Sequence, residues 1–140
     1  MTNRKLALIV KEQTPIVLGA GETVREASRL MWEQQVGSVL VVDERSHLIG
    51  IFTGRDAVKV LAHGRDAAAT ELRDVMTRDP ATIEPDKRAV DALRMMGEGG
   101  FRHLPVVEGG RILGIVSRGD FKGVELDRVD IEQHLWETIW

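Results

Sequence analysis

The sequence predicts a mixed α/β (α+β) fold, built from two tandem βαββα repeats that pack with pseudo-two-fold symmetry and followed by a C-terminal helix. A short motif occurs twice: residues 50–56 read GIFTGRD and residues 114–120 read GIVSRGD. The residues that precede the motif repeat as well, 65 positions later; Pro15, for example, matches Pro80. This offset falls to 64 at the first glycine of the motif. The lost residue falls in a turn, where length changes are tolerated. A repeat of this kind predicts two structural copies.

Both copies show the same order of elements. Thr23 and Glu26 have the Thr-x-x-Glu spacing of a capping box at the start of a helix. The apolar runs after each helix are typical of buried strands, and each pair of strands is close enough for a hairpin. For the first repeat we predict a strand at 14–18, a helix through Val24, Ala27, Leu30 and Met31, strands at 39–42 and 48–52, and a helix at 56–62. For the second we predict a strand at 81–83, a helix through Val90, Leu93 and Met96, strands at 104–107 and 112–116, and a turn from Asp120.

The repeat also predicts the domain organisation. We expect the first repeat at 8–64, a polar and Ala-rich linker at 65–72, the second repeat at 73–124 and an amphipathic helix at 125–140. Neither half can cover both faces of its few strands, so we expect the halves to pack on each other.

Two apolar surfaces are candidates for packing within the molecule or between molecules. In the C-terminal segment, Leu135 belongs to a helical stripe with Trp136 and Trp140 beside it. This helix packs on its own module or across a dimer, or else offers a docking surface to an effector protein. The second surface is Met-rich and predicts a homodimer, because such faces suit adaptable contacts; its residues are Leu30, Met31, Leu93, Met95 and Met96.

Composition excludes several functions. The 140 residues carry a net charge of −3, which argues against nucleic acid as a partner, and no Cys, which excludes disulfides and thiolate metal sites. The N-terminal apolar stretch at 6–10 is too short for a signal sequence or a membrane span, so we expect a cytoplasmic protein. No metal-ligand spacing of His, no paired acid and base and no phosphate-binding glycine loop occurs, so neither a metal nor an enzyme is predicted.

The repeated Thr/Ser-x-x-Asp pattern is the candidate site. It lies where a strand ends and a helix begins, so the hydroxyl of Thr53 or Ser117 can cap that helix or donate to a phosphate near its N-terminus. The aspartate, Asp56 or Asp120, can accept both hydroxyls of a ribose. The glycine within the motif permits close approach of the backbone. Ordinary capping is the alternative for both copies.

The sequence resembles a tandem pair of CBS (cystathionine-β-synthase) domains over roughly residues 8 to 124. The resemblance is carried by Gly-Ile-x-Thr/Ser-x-x-Asp in both repeats, Val-Gly-Ser-Val-Leu-Val-Val-Asp at 36–43, Phe-Arg-His-Leu-Pro-Val-Val-Glu at 101–108 and Val-Met-Thr-x-x-Pro at 75–80. It implies a pseudo-two-fold pair of repeats with two clefts between them, a dimer of such pairs, and adenosine ligands such as AMP, ADP, ATP, S-adenosylmethionine or an NAD-type dinucleotide. The ligand-binding residues implied are Thr53, Arg55, Asp56, Thr82, Arg102, His103, Pro105, Ser117, Arg118 and Asp120.

We therefore expect a regulatory, ligand-sensing module with no catalytic domain attached and no required cofactor. An adenine nucleotide would be its regulatory ligand, and a change of conformation would signal to a partner. The second repeat is favoured as the main site because Arg102, His103 and Arg118 lie near it. The alternative function is a structural or dimerisation module whose clefts are vestigial and bind no nucleotide.

Overall fold

The computed structural model describes residues 3–121 and has the mixed α+β fold predicted from the repeat. The predicted C-terminal helix, with Leu135, Trp136 and Trp140, lies outside the described residues. The helices are α1 (Leu6–Val10), α2 (Val24–Gln34), α3 (Gly54–Ala62) and α4 (Ala89–Gly99), with single 3₁₀ turns at Leu72–Asp74 and Arg118–Asp120. The strands are β1 (Val17–Gly19), β2 (Ser38–Val42), β3 (Leu48–Thr53), β4 (Thr77–Arg78), β5 (His103–Glu108) and β6 (Arg111–Ser117).

The chain forms two compact units. The central unit contains residues 15–80, and the described residues of the terminal unit are 3–14 and 81–121. The central unit holds a four-stranded sheet in the order β1-β2-β3-β4, in which β1 and β2 are parallel and the other pairs antiparallel. In the terminal unit β5 and β6 form an antiparallel hairpin. The strand predicted at 81–83 is reduced there to one parallel bridge, between Ile83 and Val106.

Helix α2 shows how local sequence positions an element of the central unit. Thr23 caps it, because its hydroxyl oxygen accepts a hydrogen bond from the backbone N–H of Glu26 at 3.1 Å. The reciprocal half of the predicted capping box is absent from the described contacts, since the Glu26 carboxylate pairs with Arg29 instead. The helix ends at Gln35, which adopts a left-handed conformation with φ 55°. Its buried face joins β2, β3 and α3 in the core, through Val24, Ala27, Met31, Val39, Phe52 and Val60.

The N-terminal segment, residues 3–14, is part of the core of the terminal unit. Leu6 and Val10 of α1 are buried there in one cluster with Leu93 of α4 and Val116 of β6. Three backbone hydrogen bonds fix the segment: Leu6 N–H to the Lys87 carbonyl at 2.9 Å, Ala7 N–H to the Pro85 carbonyl at 3.0 Å, and Ala89 N–H to the Arg4 carbonyl at 2.8 Å. A short apolar stretch in the sequence is therefore a packed helix in the structure.

The prediction of which residues form the homodimer surface is wrong. Met31, Leu93 and Met96 are 7%, 0% and 2% exposed, because their side chains fill the cores of their own units. Leu30 and Met95 are partly buried against the same cores. The large apolar side chains that are exposed on the central unit are instead Val17, Trp32, Val36, Val58 and Leu61.

The two hairpin turns differ in length, as the offset between the repeats predicts. In the first, the Asp43 carboxylate accepts hydrogen bonds from the backbone N–H groups of Arg45 and His47, both at 2.9 Å. These bonds, that of His47 first, lower the pKa of the Asp43 carboxyl below its usual value. The second turn is tighter and consists of Gly109 and Gly110, both with positive φ, which glycine adopts at little steric cost. Within residues 3–121, no helix has the length and apolar character needed to cross a membrane.

Candidate functional site

The first candidate turn lies where β3 ends and α3 begins, in the central unit. One oxygen of the Asp56 carboxylate, Oδ2, accepts hydrogen bonds from the backbone N–H of Thr53 at 2.9 Å and from its hydroxyl at 3.1 Å. The Asp56 N–H lies 3.4 Å from the Thr53 hydroxyl oxygen in return. This is a reciprocal cap at the start of a nine-residue helix.

The second turn, in the terminal unit, repeats this arrangement. Asp120 Oδ2 accepts hydrogen bonds from the backbone N–H of Ser117 at 2.7 Å and from its hydroxyl at 3.2 Å. Among the hydrogen bonds formed within residues 3–121, none reaches Oδ1 of Asp56 or of Asp120. Each aspartate is partly exposed, and hydrogen bonds within the turn hold its carboxylate in place.

The capping interpretation accounts for the hydroxyl groups in both turns. A Ser or Thr hydroxyl has one hydrogen to donate, and in each turn that hydrogen is directed to the aspartate carboxylate. The hydroxyls of Thr53 and Ser117 must therefore rotate before either can donate to a phosphate. The aspartates, in contrast, hold the turn with one oxygen and keep acceptor capacity on the other.

The hairpin of the terminal unit brings most of the predicted site residues to one end. His103, the first residue of β5, pairs with Ser117, the last residue of β6. The N–H of Arg118 donates to the Arg102 carbonyl at 3.2 Å, so both arginines belong to the same turn. Asp120 closes this group, which we call the Ser117 turn: Arg102, His103, Ser117, Arg118 and Asp120.

The corresponding turn of the central unit has the same strand pairing and fewer charges. Gly54 N–H donates to the Gly37 carbonyl at 3.1 Å, and Ser38 pairs with Thr53. Gly37 and Ser38 thus occupy the places that Arg102 and His103 take in the Ser117 turn. Of the arginines predicted for the site, the central unit contributes Arg55 alone.

Thr82 and Pro105 belong to a different part of the terminal unit. Thr82 is exposed and directly precedes Ile83, whose N–H donates to the Pro105 carbonyl at 3.0 Å. Pro105 itself is buried in the middle of β5, opposite Ile115. Thr82 and Pro105 are therefore neighbours. They lie further along β5 than His103, which belongs to the Ser117 turn.

One residue that contacts the Ser117 turn, Arg4, could not be predicted from the sequence. The Arg4 guanidinium donates through Nη2 to the backbone carbonyl of Asp120 at 2.8 Å. Gln13 supports the same hairpin, because its side-chain oxygen accepts the Ile115 N–H at 2.8 Å. Arg4 and Asp120 are 116 positions apart, and no motif or period connects them.

The glycines within the motif leave space beside both turns. A Cβ atom at Gly54 would have no heavy atom within 4 Å, and one at Gly119 would meet only the Ser117 hydroxyl oxygen at 3.9 Å. Neither glycine has a positive φ, so the described structure does not require glycine at either position. Within residues 3–121, no cluster of His, Asp or Glu side chains is placed to hold a metal ion.

The comparisons with known proteins identify the family. The family model described as CBS domain matches residues 10–63 and again residues 72–126. These two matches cover most of the chain. The chain therefore belongs to the CBS domain family and contains two tandem copies of the domain.

Curated relatives support the same family. A CBS domain-containing protein of Arabidopsis thaliana, CBSCBSPB2, is 39% identical over 103 residues, which is 73% of this chain and 19% of that protein. An uncharacterised protein of Methanopyrus kandleri is 38% identical over 106 residues, or 74% of this chain and 54% of its own length. This chain thus spans only part of the length of both relatives.

Solved structures share the fold over nearly the whole chain. A protein with CBS domains from Burkholderia ambifaria is 31% identical, with a TM-score of 0.78 and coverage of 98% of this chain and 100% of the other. A CBS domain protein of Pyrobaculum aerophilum complexed with AMP has a TM-score of 0.82 at 19% identity, covering 91% and 99% of the two chains. The CBS domain pair of protein MJ0100, in complex with 5′-methylthioadenosine and S-adenosylmethionine, has a TM-score of 0.77 at 23% identity, covering 94% and 98%. The last two likenesses establish the fold alone.

Proposed function

We propose that this chain is a regulatory module that binds an adenosine-containing nucleotide at the Ser/Thr-x-x-Asp turns of its CBS repeats and signals to a partner. One observation carries the proposal: in both turns a single carboxylate oxygen holds the turn, and the second oxygen accepts no hydrogen bond from residues 3–121. Fold neighbours bind AMP in one case, and methylthioadenosine and S-adenosylmethionine in another. Adenosine is common to these ligands.

The chemistry of the turn suits a ribose. The vicinal hydroxyls of a ribose are donors, and a carboxylate oxygen with unused lone pairs accepts from them. Such charge-assisted hydrogen bonds contribute about 1.5–3 kcal/mol each. Because Ser117 fixes Asp120 at 2.7 Å and 3.2 Å, the carboxylate needs little ordering when a ligand arrives.

The Ser117 turn is our preferred main site. It places two arginine residues, Arg102 and Arg118, in one turn with Asp120, whereas the central unit offers Arg55 near Asp56. Guanidinium groups bind phosphate oxygens with paired donors. We therefore propose that the ligand carries at least one phosphate, with AMP, ADP, ATP and NAD as candidates and S-adenosylmethionine as the cationic comparison.

A thermal-shift panel tests this proposal. A nucleotide present at about 100 times its dissociation constant stabilises the folded state by about 2.7 kcal/mol if it binds that state alone. For a chain of this size each kcal/mol raises the Tm by about 2–4 °C. We therefore expect at least one of these ligands to raise the Tm by about 5–10 °C, and guanine nucleotides to raise it less.

Matched variants separate the two turns. Asp120→Ala should remove most of the shift if the Ser117 turn is the main site, and Asp56→Ala should do so if the turn of the central unit is. Each variant loses a cap that contributes about 0.5–2 kcal/mol, so its shift is measured against its own ligand-free Tm. If millimolar AMP, ADP, ATP, NAD and S-adenosylmethionine all leave the wild-type Tm unchanged, the nucleotide proposal is wrong.

A second candidate function, a dimerisation module without nucleotide, is favoured by one surface of the central unit. An open groove of about 730 Å³ runs between α2 and α3, with Met31, Trp32, Val36 and Ala57 among its lining residues. Trp32 is 85% exposed, which is unusual for so large an apolar side chain. We propose that this groove forms the homodimer contact. Of the Met-rich surface predicted from sequence, it includes Met31 alone.

Light scattering at micromolar protein concentration tests the dimer. We expect a dimer mass for the wild type and a monomer mass for Trp32→Glu. Leu8→Glu is the matched control, because Leu8 is also exposed and lies on α1 of the terminal unit. A monomeric wild type, or an equal effect of both variants, would contradict the proposed contact.

A further inference from the structure

We infer that Arg4 is a positioning residue for the nucleotide at the Ser117 turn, an inference that rests on the proposed function. The observation is the hydrogen bond from Arg4 Nη2 to the backbone carbonyl of Asp120, at 2.8 Å. It joins the N-terminal segment to the residue whose carboxylate is the proposed ribose acceptor. Arg4 thus acts on the ligand through Asp120.

The backbone of Arg4 is held in place on the terminal unit. Its carbonyl accepts the Ala89 N–H at 2.8 Å, at the start of α4. One residue earlier, the Asn3 side-chain oxygen accepts the Val90 N–H at 3.1 Å. A partly buried side chain on a fixed backbone loses less conformational entropy when it binds than a free one. Arg4 is therefore suited to hold the turn.

The central unit shows why the Ser117 turn needs such a residue. There α3 continues for nine residues beyond Thr53, to Ala62, so a regular helix supports the turn. In the terminal unit the 3₁₀ turn ends at Asp120, and Phe121 is extended, with φ −97° and ψ 154°. The Asp120 carbonyl lies at this break, and within residues 3–121 Arg4 donates a hydrogen bond to it.

The residue that corresponds to Arg4 in the central unit is Thr70. Its carbonyl accepts the Val24 N–H at 2.9 Å, at the start of α2, as the Arg4 carbonyl does at the start of α4. Its hydroxyl donates to the Asp66 carbonyl at 2.7 Å and not to the turn at Asp56. In the part of the chain that the structure describes, a link of this kind is therefore formed in the second repeat and not in the first.

Isothermal titration calorimetry with AMP and with adenosine tests the inference. All variants carry Asp56→Ala, so that the Ser117 turn is the site measured, and the temperature is kept below every unfolding transition. Arg4→Met keeps an unbranched aliphatic stem and removes the hydrogen-bond donors, and we expect about tenfold weaker binding, which corresponds to about 1.4 kcal/mol. Arg4→Lys keeps a charged donor without the planar fork, so we expect a smaller loss.

Arg88→Met is the matched control. The Arg88 side chain also bonds the N-terminal segment, donating through Nη1 to the Asn3 carbonyl at 3.0 Å. Among the hydrogen bonds formed within residues 3–121, none joins the Arg88 side chain to the Ser117 turn. If Arg4 merely stabilised the fold, as Arg88 does, both substitutions would lower the Tm and neither would change the affinity for AMP. We expect Arg88→Met to bind AMP as the parent protein does.

The ligands distinguish positioning from direct contact with phosphate. Because Arg4 acts through Asp120, the proposed ribose acceptor, Arg4→Met should lower the affinities for AMP and for adenosine by the same factor. A loss confined to AMP, or unchanged binding of both ligands, would overturn the inference while the proposed function stands. If the wild type binds neither ligand, the proposed function fails and the inference fails with it. Should Arg4→Met not fold, Arg4→Lys at an affinity equal to the parent's would also overturn the inference.

Discussion

Leu6→Ala tests whether the N-terminal segment is a structural part of the terminal unit. Leu6 is 0% exposed and belongs to the core cluster with Val10, Leu93 and Val116. Replacing a fully buried leucine by alanine costs about 2–5 kcal/mol, from lost burial and from the cavity left behind. At about 2–4 °C per kcal/mol, we expect the Tm to fall by about 4–20 °C.

Leu8→Ala is the control for this prediction. Leu8 lies on the same short helix and is 58% exposed, so its replacement should change stability by no more than about 0.5 kcal/mol. Urea unfolding followed by far-UV circular dichroism gives both values, with an unchanged slope showing that the unfolded state is comparable. Surface substitutions usually change the free energy of unfolding by no more than about 0.5 kcal/mol. If Leu6→Ala changed it by no more than that, the segment would not be packed in the core.

Two further predictions concern the site and a hairpin turn. Gly119→Ala should keep or slightly raise the Tm, because its Cβ would meet only the Ser117 hydroxyl oxygen at 3.9 Å and alanine restricts the unfolded chain. The same variant should bind AMP more weakly if the ligand approaches this backbone closely. An unchanged AMP affinity, measured by calorimetry, would contradict such an approach. For Asp43, hydrogen bonds from the backbone N–H groups of His47 and then Arg45 lower the pKa of the carboxyl in the folded state. Its stabilising contribution is therefore present above the unfolded pKa of about 3.9 and lost as the pH falls through the lower folded value. The difference in urea midpoint between wild type and Asp43→Ala should narrow at pH values below about 4, and a difference independent of pH would contradict this assignment.

Repeated local patterns were enough to predict the equivalent parts of the two repeats. The two copies of Gly-Ile-x-Thr/Ser-x-x-Asp predicted two equivalent turns at strand ends, and the structure has both, with Asp56 and Asp120 bonded alike. Hairpin strands and helix starts were predictable as well, because capping, turn chemistry and apolar period depend on residues within a few positions of each other. Family membership follows from the same motifs.

Contacts between segments far apart in the chain could not be predicted from these local patterns. The period of α4 indicates an apolar face, and nothing in it shows that this face packs on Leu6 and Val10 and leaves Met96 no surface for a dimer. Arg4 and Asp120 meet because residues 3–14 pack on the second repeat, across 116 positions of chain. Local interactions determine which elements form, whereas the choice of which apolar faces meet depends on the burial available to the whole chain, which no short window of sequence contains.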